Sequence, residues 1–138
     1  MTVEPPRGSA PAFADAIADI RAMQWRTDVT VREIPAPTGL APESFALSAD
    51  VRQDDDREDS PLGTGRFVLL SDDEEPAPWN APLRVVCFAQ APLEPEIGMD
   101  PFLADVAWSW LIDALSSRRA AYHSASGTAT KTISKGFG

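Results

Sequence analysis

The sequence predicts an α+β fold: a mostly antiparallel sheet of four to six strands with two helices packed on one face. Three observations predict it. One segment near each end carries apolar residues at helical spacing. Between them lie four short segments that are β-branched, alternating or continuously apolar. The connections between those four are short or loop-like and contain no helix, whereas parallel neighbours need a long crossover.

The first helix is predicted over residues 10–24. Ser9 stands before Ala10-Pro11, a capping residue followed by a proline in the first turn. Phe13, Ile17 and Ile20 follow at i, i+4 and i+7, with Ala16 and Met23 beside them. Asp15 and Asp19 lie early and Arg21 and Arg26 late, as the helix dipole favours. Residues 1–8 are polar and rich in proline and are expected as a disordered lead-in, leaving 9–138 as a single domain.

Four strands come next. Asp28 to Ile34 is dominated by Val29, Thr30, Val31 and Ile34, and Pro35, Pro37, Gly39 and Pro42 end it. Ser44 to Val51 alternates, with Phe45, Leu47, Ala49 and Val51 on one face and Ser44, Ala46, Ser48 and Asp50 on the other, which predicts one wet face. Arg66 to Leu70 and Leu83 to Ala89 are apolar on both faces, so they are placed centrally with both faces covered. Two acidic loops separate these strands, Asp54 to Asp59 and Asp72 to Glu75.

After a proline-bounded acidic connector, Pro92 to Gly98, the second helix is predicted over 101–118, with Asp100 as its cap and Pro101 in its first position. Its apolar residues form more than one stripe, including Leu103, Val106, Trp108, Trp110, Leu111 and Leu115, so it is expected to be buried on more than one side. The tail from Ala121 to Ile133 reads as a strand interrupted at Gly127, or as a hairpin.

Composition excludes several classes of function. The chain of 138 residues carries 21 acidic against 12 basic residues, a net charge of −9. That acidity disfavours nucleic acid or anionic lipid as a partner. No apolar run approaches the roughly 20 residues of a membrane span, so no membrane association is expected. A single cysteine excludes a disulfide framework and a cysteine-rich zinc site. The N-terminus lacks the basic start and apolar run of a secretory signal, which points to the cytoplasm.

Several strings, taken in order and spacing, resemble an uncharacterised family of actinobacterial proteins known only as a domain of unknown function. They are Glu33-Ile34-Pro35-Ala36-Pro37, Leu40-Ala41-Pro42, Leu93-Glu94-Pro95-Glu96, Trp108-Ser109-Trp110-Leu111, Gly127-Thr128 and Phe137-Gly138. The resemblance spans residue 10 to the end. It implies a cytosolic setting and brings no activity, cofactor or catalytic residue. Members of that family usually continue past the Phe-Gly position, so the resemblance implies a fragment or a short version with an open sheet edge.

Each candidate for chemistry has a structural alternative. From Asp50 to Glu75 there are ten acids and three arginines, but they lack the alternating ligands and turn glycine of a calcium loop. They read as solvated loops. Cys87 and His123 are the one combination that offers a thiol–imidazole pair, yet Cys87 sits in an apolar strand as a small hydrophobe. Ser109 lies between two indoles on a helix and lacks a nucleophile elbow. Gly63-Thr64-Gly65 has no lysine or helix after it and is no phosphate loop. No catalytic residue, cofactor or metal is therefore assigned.

Trp108 and Trp110 are more informative, because their side chains diverge by about 200° on a helix and cannot both face one sheet. With Trp79 they form the predicted interaction surface. Four cations after Asp113, namely Arg118, Arg119, Lys131 and Lys135, leave −13 for the remainder. The leading expectation is a non-enzymatic protein-binding or adaptor domain, through a protein partner or self-association. The alternative is a small-molecule-binding or enzymatic domain whose site gathers Arg66, Arg84, Glu94, Glu96 and His123 from distant segments.

Overall fold

The computed structural model describes residues 1–3, 12–52 and 62–138. The order is β1 (Thr2–Val3), α1 (Ala12–Ala22), β2 (Val29–Ile34), β3 (Glu43–Val51), β4 (Gly63–Ser71), β5 (Leu83–Gln90), α2 (Pro95–Gly98), α3 (Leu103–Ser117) and β6 (Tyr122–His123). The strands form a six-stranded antiparallel sheet in the order β2-β3-β4-β5-β1-β6. This is the α+β class the sequence predicts, with the four long strands where alternation and β-branching place them.

The chain divides into two compact units. One comprises Met1–Pro92 with Ala121–Ala125, the other Leu93–Ala120 with Ser126–Gly138.

The first unit holds the sheet. Paired residues on neighbouring strands point to the same face, and alternate residues along a strand to opposite faces. On one face Phe45, Leu47, Leu69, Leu83 and Val85 form the buried core. Phe13, Ala16, Ile17 and Ile20 of α1 pack on it, so the stripe read from the sequence is the face that α1 buries. Arg21 at the end of α1 donates two hydrogen bonds to Glu33 of β2, at 2.6 and 3.2 Å. Its guanidinium also lies 5.6 Å from the Phe45 ring centroid.

On the opposite face the third and fourth strands are covered only in part: Leu70 of β4 is 5% exposed, whereas the β5 residues depart from the expectation of cover on both sides. Val86 is 47% exposed and Phe88 is 60% exposed. Apolar residues on both faces of a strand record a central position, which β4 and β5 do occupy, without requiring a second covering layer.

Of the segment expected as a disordered lead-in, residues 1–3 are described and join the sheet. Thr2 and Val3 pair with Arg84 and Leu83 of β5 and with His123 and Tyr122 of β6. The Met1 ammonium donates to the Val85 carbonyl at 3.1 Å, and the Val85 amide donates to the Met1 carbonyl at 2.7 Å. Residues 4–8, the start of the first helix at 10–11 and the acidic run Asp54 to Asp59 lie outside the described residues.

The second acidic loop is a tight turn. Asp72 accepts the Glu74 amide on its carboxylate and the Glu75 amide on its carbonyl, both at 3.0 Å. Trp79, at the end of this connection, is buried.

In the second unit the proline-bounded connector contains the single-turn α2. Asp100 accepts the Phe102 amide on its side chain at 2.9 Å, and α3 begins at Leu103, two residues later than predicted. At the other end the Ala120 amide reaches the Leu115 carbonyl and the Arg119 amide reaches the Ser116 carbonyl, both at 3.0 Å. Arg119 has φ 53°, so a Schellman motif closes the helix with arginine where glycine is the usual residue. No residue of α3 is fully buried, contrary to the two-sided burial expected from its composition. The predicted C-terminal strand or hairpin reduces to Tyr122–His123, and residues 124–138 have no regular secondary structure.

Candidate functional site

The sheet face opposite α1, exposed toward Arg66, Val86 and Phe88 and buried at Leu70 and Thr2, follows from strand register. Four rows of paired residues cross β2, β3, β4 and β5 in part or in full. One row reads Arg32, Ser48, Arg66, Phe88. The row beside it reads Ile34, Ala46, Val68, Val86, and the row on its other side Thr30, Asp50, Thr64, Gln90. A fourth row continues beyond β5 as Ser44, Leu70, Arg84, Thr2, His123.

A concavity of about 260 Å³ opens on this face, lined by Arg32, Ile34, Ser48, Asp50, Thr64, Gly65, Arg66 and Phe88. Arg32 and Arg66 stand one strand to either side of Ser48. Neither makes an ion pair among the described residues. Ser48 is 8% exposed, and its hydroxyl is buried without a hydrogen-bond partner among them. Leaving such a group unpaired costs about 1–3 kcal/mol. Asp50 is the acidic group of the lining, and its carboxylate lies 3.9 Å from Arg52.

A smaller hollow of about 170 Å³ lies where Ile20, Arg21, Trp25, Val31, Glu33 and Leu47 meet. The Arg21–Glu33 pair occupies its rim. The Arg21 hydrogen bonds hold the Glu33 carboxyl below its ordinary range, with the charge of Arg21 adding to the effect.

The five residues of the predicted ligand group do not form one constellation within a unit. Arg66 lines the concavity. Arg84 and His123 share its face but lie in the fourth row, about 13 Å along the strand from Arg66 at ~3.3 Å per residue. His123 Nδ1 is 2.9 Å from Ser124 Oγ. Glu94 precedes α2 and Glu96 lies within it, both in the second unit.

Cys87 and His123 do not pair. Cys87 lies opposite Phe67 on the α1 side of the sheet, and His123 lies opposite Thr2 on the other side. The Cys87 thiol is accessible to solvent, but the apolar strands around it desolvate it and push its pKa up. A nearby amino terminus opposes this more weakly. Such a thiol is a poor nucleophile.

Of the three tryptophans in the predicted interaction surface, Trp79 is buried. Trp108 lies against the chain at Gly127, where a Cβ would stand 3.0 Å from the indole ring. Trp110 is 68% exposed. At 100° per residue, Val106 and Trp110 follow one ridge of α3 at i and i+4, and Phe102, the capping residue four before Val106, extends that line past the start of the helix. Phe102 and Trp110 are exposed at its two ends, and Val106 is half-buried between them.

Sequence reasoning missed Arg32, Ser48, Asp50, Thr64 and Phe88 as a group. A local signal existed, because Ser48 and Asp50 sit on the wet face of an alternating strand. The pairing that brings them beside Arg32 and Arg66 is not local.

The profile of one protein family matches residues 9–138. The chain belongs to the family described as protein of unknown function, DUF3000. This agrees with the resemblance in the motifs, and it assigns no activity to DUF3000 or to any residue above. No curated protein and no solved structure matches the chain. Among the described residues no helix is long and apolar enough to cross a membrane.

Proposed function

We propose that this DUF3000 chain is a non-enzymatic binding domain that acts by protein contact, with the Phe102–Val106–Trp110 ridge of α3 as its contact surface. The observation that carries the reading is the exposure of Trp110, 68%, on a ridge that ends in a second exposed ring. A helix recognised in a partner's groove presents its apolar anchors along one face. Tryptophan is enriched among the residues whose truncation costs most at interfaces. Trp108 diverges from the ridge and packs on Gly127, so it serves as an internal comparison.

The test is affinity capture of the tagged chain from an extract of its own cells, scored for a partner at near-equal stoichiometry. The reading expects one such partner, lost in Trp110→Ala and kept in Trp108→Ala. A partner retained by Trp110→Ala, or none above background, counts against it.

A further inference from the structure

The concavity on the open sheet face lies wholly in the first unit, and its argument does not depend on the helix ridge. We propose that it binds a small monocarboxylate, an organic acid with one aromatic or compact apolar body, its carboxylate held between Arg32 and Arg66.

Four observations carry this. The first is convergence. Arg32, Ser48 and Arg66 are register partners on three consecutive strands, so the two arginine backbones stand about 10 Å apart on one face at ~4.8 Å per strand. Long side chains from both can reach a common point above Ser48. Each guanidinium offers a planar fork of donors that matches a carboxylate.

The second is the unpartnered hydroxyl. Ser48 is more than nine-tenths buried, it lines the same space, and its hydroxyl has no hydrogen-bond partner among the described residues. With the hydroxyl turned toward the concavity, a carboxylate oxygen there would accept its hydrogen bond and offset the cost of burying it.

The third is charge. The chain as a whole is at −9, yet this lining holds two cations against one anion, Asp50. One net positive charge suits a monoanion. A phosphate dianion would meet the Asp50 carboxylate without a matching third cation in the lining.

The fourth is the apolar shelf. Phe88 follows Arg66 in the same row, with Ile34 across the concavity. An exposed ring beside an anion clamp provides a surface for the ligand's body. The volume of about 260 Å³ is slightly below the usual range of drug-sized pockets, which limits the body to about one ring.

The experiment is an amide and side-chain NMR titration of the whole chain with benzoate, its neutral isostere benzamide, and inorganic phosphate at constant ionic strength. The expected result is a saturable shift with benzoate at Ser48, Arg66 and Phe88. Benzamide should bind at least about tenfold more weakly, since hydrogen bonds to charged groups are worth about 1.5–3 kcal/mol. Arg32→Gln and Arg66→Gln should each weaken benzoate by a similar factor, and Arg66→Lys, which keeps the charge but loses the fork, by less. Arg84→Gln, on the same face outside the concavity, should leave the affinity unchanged. Arg66 is exposed, so its variants should keep the wild-type circular dichroism. Benzamide binding as well as benzoate, phosphate binding more tightly than benzoate, no saturable shift, or indifference to both glutamine variants would each overturn the proposal.

Discussion

Val85 and Val86 are consecutive residues of β5, and their side chains leave opposite faces of the sheet. Val85 is 9% exposed, in the core under α1, and Val86 is 47% exposed on the open face. Truncation to alanine removes two methyl carbons from each. At Val85 the lost transfer free energy is about 1.5 kcal/mol, from ~0.8 kcal/mol per buried carbon. The cavity left in a packed core adds roughly another 1 kcal/mol. At Val86 about half of that apolar surface is already wet, and solvent fills the space. Its cost is therefore about 0.8 kcal/mol at most. The loss of β propensity is common to both and cancels in the comparison. The expected difference, about 1.5–2 kcal/mol, corresponds to roughly 1 M in the urea midpoint for a slope of about 1.5–2 kcal/mol/M. Urea unfolding of the two variants, followed by circular dichroism, measures it directly. Equal losses would refute the reasoning, because they would mean that the face carrying Phe88, Ser48 and the two arginines is covered as tightly as the α1 face.

Three further outcomes are expected. Desolvation raises the Cys87 pKa, so its thiolate fraction at neutral pH is below that of free cysteine. Alkylation by iodoacetamide should therefore be slower than for glutathione in the same buffer, and a faster reaction would contradict the strand environment. Glu33 has its pKa lowered in the folded state by Arg21, so its contribution to stability is present above the unfolded-state pKa and is lost as pH falls through the folded value. Acid titration of Glu33→Gln should show a shallower loss of stability below the ordinary carboxylate range than the parent chain, and a parallel curve would refute the coupling. Arg119 occupies the left-handed position that closes α3. Arg119→Gly should raise the stability of that helix by about 0.5–1 kcal/mol, read by thermal unfolding at 222 nm, and a loss would show that the side chain has a role the backbone geometry does not explain.

The central elements were legible because their signals are local. Phe13, Ile17 and Ile20 mark a helical stripe without reference to any other segment, and β3 declares its two faces through Phe45, Leu47 and Ala49 against Ser44, Ala46 and Ser48. Elsewhere local signals run out. Thr2 and Val3 are too few to show a period, and only pairing with β5 and β6 makes them a strand. The apolar residues of α3 suggested burial, but hydrophobicity measures the cost of exposure and does not supply a partner to cover it. Trp79 illustrates the converse, since a tryptophan between Pro78 and Asn80 in a turn looks superficial and is nevertheless buried.

The concavity was illegible for a related reason. From sequence, residue type alone groups Arg66 with Arg84, Glu94, Glu96 and His123. Register replaces that group with Arg32, Ser48 and Asp50, which come from two other strands. A shift of one residue between β3 and β4 would send Arg66 to the α1 face and Phe67 to the open one. Burial of Phe45, Leu47 and Leu69 against α1 forbids that shift. The packing of the apolar face therefore fixes which polar residues meet on the other. The two arginines flank an unpaired serine because the core opposite them admits only one register, and a ligand site on this face would be positioned by residues that never touch the ligand.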